Sequence, residues 1–416
     1  MGERLPRRSG CIRKAIAEEL GIKKSPPSLP RWSLGFCTTL AVSINQKPPQ
    51  DRVEKWHRIF FHVLQRPAST ETRSVEQELR HHRKRSQYTM PDITFMQATL
   101  DALSEEMAKN PKIFVMGEGI GIRGGNFKTT FGLYEKYGAE RLCDTPICER
   151  GFVGMAAGAA MTGTRPVIDF MFSDFVLDAV GEIINQIAKM QYMSSGRLKM
   201  PVLLRGCIGI GHAAATHHSG NYYPMYGHFP GLRVVVPSSA ADAKGLLKTA
   251  LNCDDPVIFL EHKEILSIKG PVPEGEHFVP FGKARIVREG TQITVVALAH
   301  MVHKVQQACD KMAKEGEPIS VELIDPRTVS PLDTDTVLTS VRKTGRLLIV
   351  DEAFAPFGVG AEISARVMEN GFDDLDAPIR RLNGAFAPTP YSPPLEAAIV
   401  PNVDTIIQAI RDLIAE

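Results

Sequence analysis

"DTPICERGFVGMAAGAAMTG", residues 144–163, runs after two further residues into "PVIDFM" at 166–171. The first stretch places Glu149 and Arg150 at its lip and then carries no charge from 151 to 163. Its glycines, Gly151, Gly154 and Gly158, recur at intervals of three and four, the spacing of one helix face. The second stretch is a short apolar run of buried-strand length. A small-residue helix that feeds an apolar strand is the repeating unit of a mostly parallel sheet covered on both faces.

The same alternation extends in both directions. An amphipathic helix is expected over 92–109 and a strand in "KIFVMG" at 112–117. Further strands are expected in "MPVLLR" at 200–205, "LRVVVP" at 232–237 and "PVIFLE" at 256–261, separated by helices over 174–193 and 239–251. The proline- and glycine-rich segment at 269–282 breaks this order, and the domain boundary is placed there. A second α/β unit then repeats the logic. Strands are expected at 292–299, 319–324 and 345–350, with helices near 301–315, 358–370 and 402–415. Two loops rich in turn formers, "DPRTVSPLD" and "NGAFAPTPYSPP", are expected to present a surface at one end of its sheet. The domain reading is therefore a basic extension over 1–90, a first α/β domain over 91–270, a linker at 271–282 and a second α/β domain over 283–416.

Composition narrows the function classes. The 416 residues are 43% hydrophobic and 23% charged, as in a globular protein, and no uncharged run reaches membrane-spanning length, so no membrane insertion is expected. The seven cysteines form no CxxC pair and read as reduced thiols. Residues 1–90 hold 18 Lys/Arg against 8 Asp/Glu, whereas the remainder holds 31 against 39. The mildly acidic body argues against nucleic-acid binding. The extension reads as a flexible decoration, a transit segment or the product of an early start codon. Glu3, Glu18 and Glu19 sit poorly with an acid-poor transit peptide.

Glu149 stands where a helix is expected to begin, and its charge suits the dipole there. Two readings remain open on residues alone: a helix-terminal charge, or an enclosed carboxylate that shares a proton with a ligand nitrogen. "GHAAATHHSGNYYPMYGH", 211–228, brings four histidines into one loop without a zinc spacing. Proton transfer and an ordinary polar loop are both compatible with it. Phe170, Phe172 and Phe175 lie at a strand-to-helix switch and suit either core packing or the cover of a planar ring. "GEGIGIRGGNF" at 117–127 fits neither common nucleotide-phosphate loop.

The ordered series "MGEGIGIRGGNFKTTFGL", "DTPICERGF", "GRLKMPVLLRG", "THHSG", "GHFPGLRVVVPSSAADAKGLL", "DPVIFLEHK" and "PYSPPLE" resembles the beta subunit of the E1 component of thiamine-diphosphate-dependent 2-oxo acid dehydrogenases. That family spans pyruvate, branched-chain 2-oxo acid and acetoin types, and the resemblance runs from about residue 90 to 416. It implies a transketolase-like pyrimidine-binding domain followed by a transketolase C-terminal domain, in an α2β2 heterotetramer with an E1 alpha subunit. It also implies transfer of an acyl group to the lipoyl arm of E2. The alpha subunit supplies diphosphate and Mg2+ ligands through a GDG-led motif, which this chain lacks, so the chain alone is expected to be inactive. The working compartment implied is the mitochondrial matrix or the bacterial cytoplasm.

Carried over onto matching positions, the resemblance makes Glu149 the hydrogen-bond partner of N1′ of the cofactor's aminopyrimidine. It makes Phe175 the aromatic ring stacked on the pyrimidine, and His218 the histidine near the thiazolium and the arriving lipoyl group. His217 and Gly220 stand where glutamines are usual, a departure that bears on substrate-side hydrogen bonding. Some members hold potassium partly through main-chain oxygens, at positions matching Val202, Ala250, Leu251, Cys253 and Asp255. Cys253 replaces an expected aspartate, and the ion is not assigned. "VPSSAADAKGLL" and "FLEHK" look closer to acetoin-type chains, so acetoin cleavage stands beside 2-oxo acid decarboxylation. A noncatalytic subunit that stabilises an alpha chain or binds E2 is the reading from a different class.

Overall fold

The strands of the first half, in a computed structural model that describes residues 90–416, are β1 (Asp92–Thr94), β2 (Ile113–Gly117), β3 (Leu142–Asp144), β4 (Arg165–Phe172), β5 (Leu203–Ile208), β6 (Arg233–Val235), β7 (Val257–His262) and β8 (Lys269–Pro271). The second half adds β9 (Arg285–Arg288), β10 (Ile293–Ala297), β11 (Val321–Asp325), β12 (Thr328–Ser330), β13 (Leu347–Phe354) and β14 (Arg380–Gly384). The basic extension, apart from Met90, lies outside the described residues.

Two mostly parallel sheets result. The first has the order β12-β6-β7-β5-β4-β2-β3, the second β14-β13-β10-β11-β9. Strands β2 to β7 of the first sheet run parallel, and every residue of β5 and β7 is buried, as expected of strands covered on both faces. Helix Phe95–Lys109 shows how the cover forms. Thr94 caps it by accepting the Gln97 N–H at 3.1 Å, and Phe95, Ala98, Ala102 and Leu103 form a buried stripe at helical spacing. Helix Ala240–Asn252, capped in the same way by Ser239, packs against it.

Three expectations are corrected. The helix expected over 174–193 is broken: Ser173–Val176 is α-helical, Leu177–Ala179 is 3-10, Glu182–Ile187 is a π-turn, and the α-helix resumes at Ala188–Met193. Such widened turns leave the run apolar in pattern while shifting which residues face the core. Among the described residues, the close-packed face expected at Gly151, Gly154 and Gly158 is not closed at Gly154 and Gly158. A Cβ at Gly158 would meet nothing within 4 Å, and one at Gly154 only Glu182 Cγ at 4.0 Å. Finally, "DPRTVSPLD" is not only a loop: its β12 leaves the second half to pair antiparallel with β6 at the edge of the first sheet. Among the described residues no helix is long and apolar enough to cross a membrane.

Candidate active site

Parallel strands deliver their following loops to one edge of a sheet, so the topology places the loops after β2, β3, β4, β5 and β7 side by side. The segments that follow these strands carry Glu118, Glu149, Phe175, His218 and Lys263 respectively. Glu149 is the first residue of helix Glu149–Met161, because Cys148 at φ −165° is still extended and caps nothing with its side chain. Glu149 as a residue is buried, 9% exposed. Among the described residues it makes no ion pair and no side-chain hydrogen bond.

Glu149, Glu118, Asp169 and Phe175 line one narrow recess together with Phe152, Phe170 and Met171. Burial, and then the nearby Glu149 charge, raise the Glu118 carboxyl above its usual range. Phe175 is half-buried and stands edge-on to His218, ring centroids 5.7 Å apart; Phe172 lies closer to that histidine, at 4.5 Å. The structure thus brings Glu149, Phe175 and His218 to one edge, with Phe175 touching both the recess and the histidine. A carboxylate on a buried residue, without a partner among the described residues and flanked by aromatic rings, fits a flat heterocycle whose ring nitrogen shares its proton.

The other histidines of the 211–228 stretch do not join this group. His212 lies 3.1 Å from Glu264 on the surface, His217 is exposed, and His228 packs against Phe229 with centroids 5.5 Å apart. Phe170 belongs to the core.

Beneath the recess lies a charge network that the strand patterns concealed. Arg205, 1% exposed, donates from Nε and Nη2 to the two oxygens of Glu261 at 2.7 and 3.0 Å, and its Nη1 is 3.7 Å from Asp169. Thr129 donates to Asp169 at 2.8 Å. Burial pushes Asp169 up to about 6, against the opposing pull of Arg205 and Thr129. Gly117 must be glycine here, since a Cβ would stand 2.3 Å from the Asp169 carbonyl oxygen. The signal in the sequence was a lone charge in each of three otherwise apolar strands, "PVIDFM", "MPVLLR" and "PVIFLE".

Several oxygens at the positions matched to potassium already have partners. Arg165 Nη1 donates to the carbonyls of Leu251 at 3.3 Å and Cys253 at 2.7 Å, while its Nη2 pairs with Asp254 at 2.6 Å. Val257 N–H bonds the Val202 carbonyl, Cys253 N–H bonds that of Ala250, and the Asp255 carboxylate is taken by Gln191 and Arg233. The Arg165 guanidinium thus places a positive charge at two of these carbonyls, those of Leu251 and Cys253.

Comparison with known proteins adds the context. The transketolase pyrimidine-binding domain family matches residues 92–269, and the transketolase C-terminal domain family matches 282–406. The chain is 45% identical to a mitochondrial pyruvate dehydrogenase E1 component subunit beta-2 of Oryza sativa, over 77% of this chain and 86% of the relative. It is 43% identical to the mitochondrial subunit beta of Dictyostelium discoideum, over 78% and 92%. With the subunit beta of Rickettsia felis the identity is 44%, over 77% and 97%. Among solved structures, an inactive beta4 tetramer of a split-gene transketolase matches with a TM-score of 0.63 at 22% identity, over 78% of this chain and 99% of that one, which shows the shared fold. From the matching domains and the identity sustained over most of each relative, the chain belongs to the pyruvate dehydrogenase E1 component beta-subunit family, with the transketolase-like fold.

Proposed function

We propose that this chain is the beta half of a thiamine-diphosphate-dependent E1 acting on pyruvate, assembled with an alpha subunit as α2β2 and passing its acyl product to the lipoyl arm of E2. The observation that carries the reading is the buried residue Glu149, without a partner among the described residues, beside Phe175 and His218. Pyruvate is favoured over acetoin and branched-chain acids because the relatives named above are of the pyruvate type.

When bound, the cofactor supplies the carbon nucleophile and electron sink that decarboxylation needs. Glu149 holds a proton at the pyrimidine ring nitrogen, Phe175 covers one face of that ring, and His218 moves a proton at the acyl acceptor. Mg2+ and the diphosphate fall to the alpha subunit. The setting proposed is the mitochondrial matrix or the bacterial cytoplasm, following relatives of both origins. The test is reductive acylation of a lipoyl domain by the chain co-expressed with an E1 alpha subunit, over pyruvate, branched-chain 2-oxo acids and acetoin. Turnover with pyruvate well above the rest is expected, and inactivity of the assembled, cofactor-loaded complex on every one of them defeats the reading.

No potassium is assigned. We propose that Arg165 stands in for it, so exchange of potassium for sodium or choline is expected to leave the melting temperature of the wild-type chain unchanged. An Arg165→Met chain should melt lower in every salt. A potassium-specific rise in the wild type would show that the ion binds after all.

A further inference from the structure

The segment between β5 and helix Tyr223–Gly227 carries His218, and its backbone is unusual. Gly209 and Gly211 have φ of 101° and 148°, and His212, Ala213 and Ala215 have φ of 60°, 52° and 62°. Non-glycine residues in this region are strained and persist only where the surroundings hold them. Ser173 and Asp174 hold its far end at Gly220, and further holding groups come from the second half of the chain. Glu352, in β13 and 4% exposed, accepts at its Oε1 both the Ile210 N–H and the Asn221 amide, the latter at 3.0 Å, so one oxygen grips both ends of the segment. Glu396 Oε2 accepts the Ala213 N–H at 3.0 Å, and the Thr389 carbonyl accepts the Thr216 hydroxyl at 2.9 Å. Lys263 closes the arrangement from the first sheet by donating to the His218 carbonyl at 2.8 Å.

The second oxygen of Glu352 meets His262 Nε2 at 3.0 Å, and His300 lies beside them, the three offering ligand atoms within 4.8 Å of one another. A metal reading fails on the hydrogen bonding. His262 Nδ1 accepts the Glu264 N–H at 3.2 Å, so a neutral ring carries its proton on Nε2 and donates it to Glu352. That nitrogen has no lone pair for an ion. His262 is therefore the group that orients the clasp, and it holds Glu352 ionised with both oxygens in use.

We propose that Glu352 is a positioning residue for the His218 segment, with Glu396 as its auxiliary: the C-terminal half clasps the strained 209–221 backbone and fixes where His218 stands against Phe172 and Phe175. The proposal rests on the reading of His218 given above. It assigns to the "PYSPPLE" motif and to the carboxylate after Asp351 a task that the reaction itself does not reveal.

The test uses the assembled complex with thiamine diphosphate and pyruvate, and Glu352→Ala, Glu352→Gln, Glu396→Ala and Glu396→Gln variants. Amide hydrogen exchange in the complex is expected to rise at least tenfold across 209–221 in Glu352→Ala, with the sheets unchanged. Lipoyl-domain acylation should lose about 10- to 100-fold in kcat with little change in the KM for pyruvate, the pattern of a misplaced transfer group. Glutamine keeps an acceptor for Ile210 and Asn221 but sets its amide donor against His262 Nε2–H, so Glu352→Gln should recover most of the protection and part of kcat. Glu396→Ala should give a smaller version of the same pattern, reversed in Glu396→Gln. Wild-type exchange and kcat in both alanine variants would overturn the proposal, as would faster exchange spread evenly over the chain. A wild-type complex unable to acylate lipoyl domains would instead defeat the functional reading, while the exchange measurements still decide whether Glu352 holds the segment.

Discussion

Glu149→Gln in the assembled, cofactor-loaded complex is expected to lower turnover by about 10²–10⁴-fold, the range for loss of a positioned proton-transfer group. Glutamine preserves the shape of the side chain and one hydrogen-bond acceptor, but it cannot carry the negative charge that keeps a proton at a ring nitrogen. Stability should barely change. Glu149 has no ion pair to lose among the described residues, and the favourable interaction of its charge with the helix N-terminus is worth about 0.3–1 kcal/mol, offset by the relief of burying a carboxylate. Two measurements separate the roles: hydrogen–deuterium exchange at C2 of the bound cofactor's thiazolium, which should slow in parallel with turnover, and thermal unfolding, which should not move by more than a few degrees. Exchange at the wild-type rate would remove Glu149 from the proton relay.

The C-terminal half adds a pH dependence whose sign is fixed by burial. His300 is held down to about 3, by burial first and then by the neighbouring His262 and Lys304, so the folded chain keeps it neutral while the unfolded chain protonates it near its ordinary value of 6.5. Its contribution to stability is whole above pH 6.5 and is lost progressively as pH falls toward 3. His300→Gln should therefore flatten the fall in melting temperature between pH 6.5 and 4. An unchanged acid limb would mean that His300 protonates in the fold.

Periodicity located the elements because short apolar strands and helices with a three-four stripe differ in repeat. The strand expected at 112–117 is β2 at Ile113–Gly117, and the helix expected near 402–415 is Val403–Ala415. What periodicity could not see is partnership. The pairing of β12 with the first sheet is a contact between Thr328 and Val235, 93 positions apart in sequence, and nothing local to "DPRTVSPLD" encodes it. The 174–193 run is apolar enough for a helix, yet its π-turn depends on what packs against it. The site was legible where one residue type could answer one need, as with Glu149. It was illegible where the need was shared. Glu352 reads as an ordinary acid after an apolar strand until Ile210, Asn221 and His262 converge on it, and Arg205 reads as the end of a strand until Glu261 and Asp169 appear beside it.

Arg205→Met is expected to destabilise the chain by about 3–5 kcal/mol, because it removes the cation from a buried cluster and leaves two carboxylates without it. Glu261 and Asp169 are 1% and 6% exposed, and Arg205 also donates to Thr99 Oγ1 at 3.0 Å and to the Thr129 carbonyl at 3.3 Å. One guanidinium thus joins β4, β5, β7, helix Phe95–Lys109 and the loop after β2, beneath the recess that holds Glu149. With about 2–4 °C per kcal/mol for a unit of a few hundred residues, the melting temperature should fall by roughly 10 °C. Lysine keeps the charge but not the paired donors, so Arg205→Lys should lie between the wild type and Arg205→Met. The double variant Arg205→Met, Glu261→Met should recover a substantial part of the loss, since apolar groups of similar volume leave fewer charges stranded. Asp169 remains in that variant. With its carboxyl already at about 6 and its cation gone, it should take up a proton at neutral pH, and the residual loss should shrink as pH is lowered from 8 to 6. A single variant within 1 kcal/mol of wild type would mean that water reaches these carboxylates, and the cluster would then not be the dry support of the recess that its burial describes.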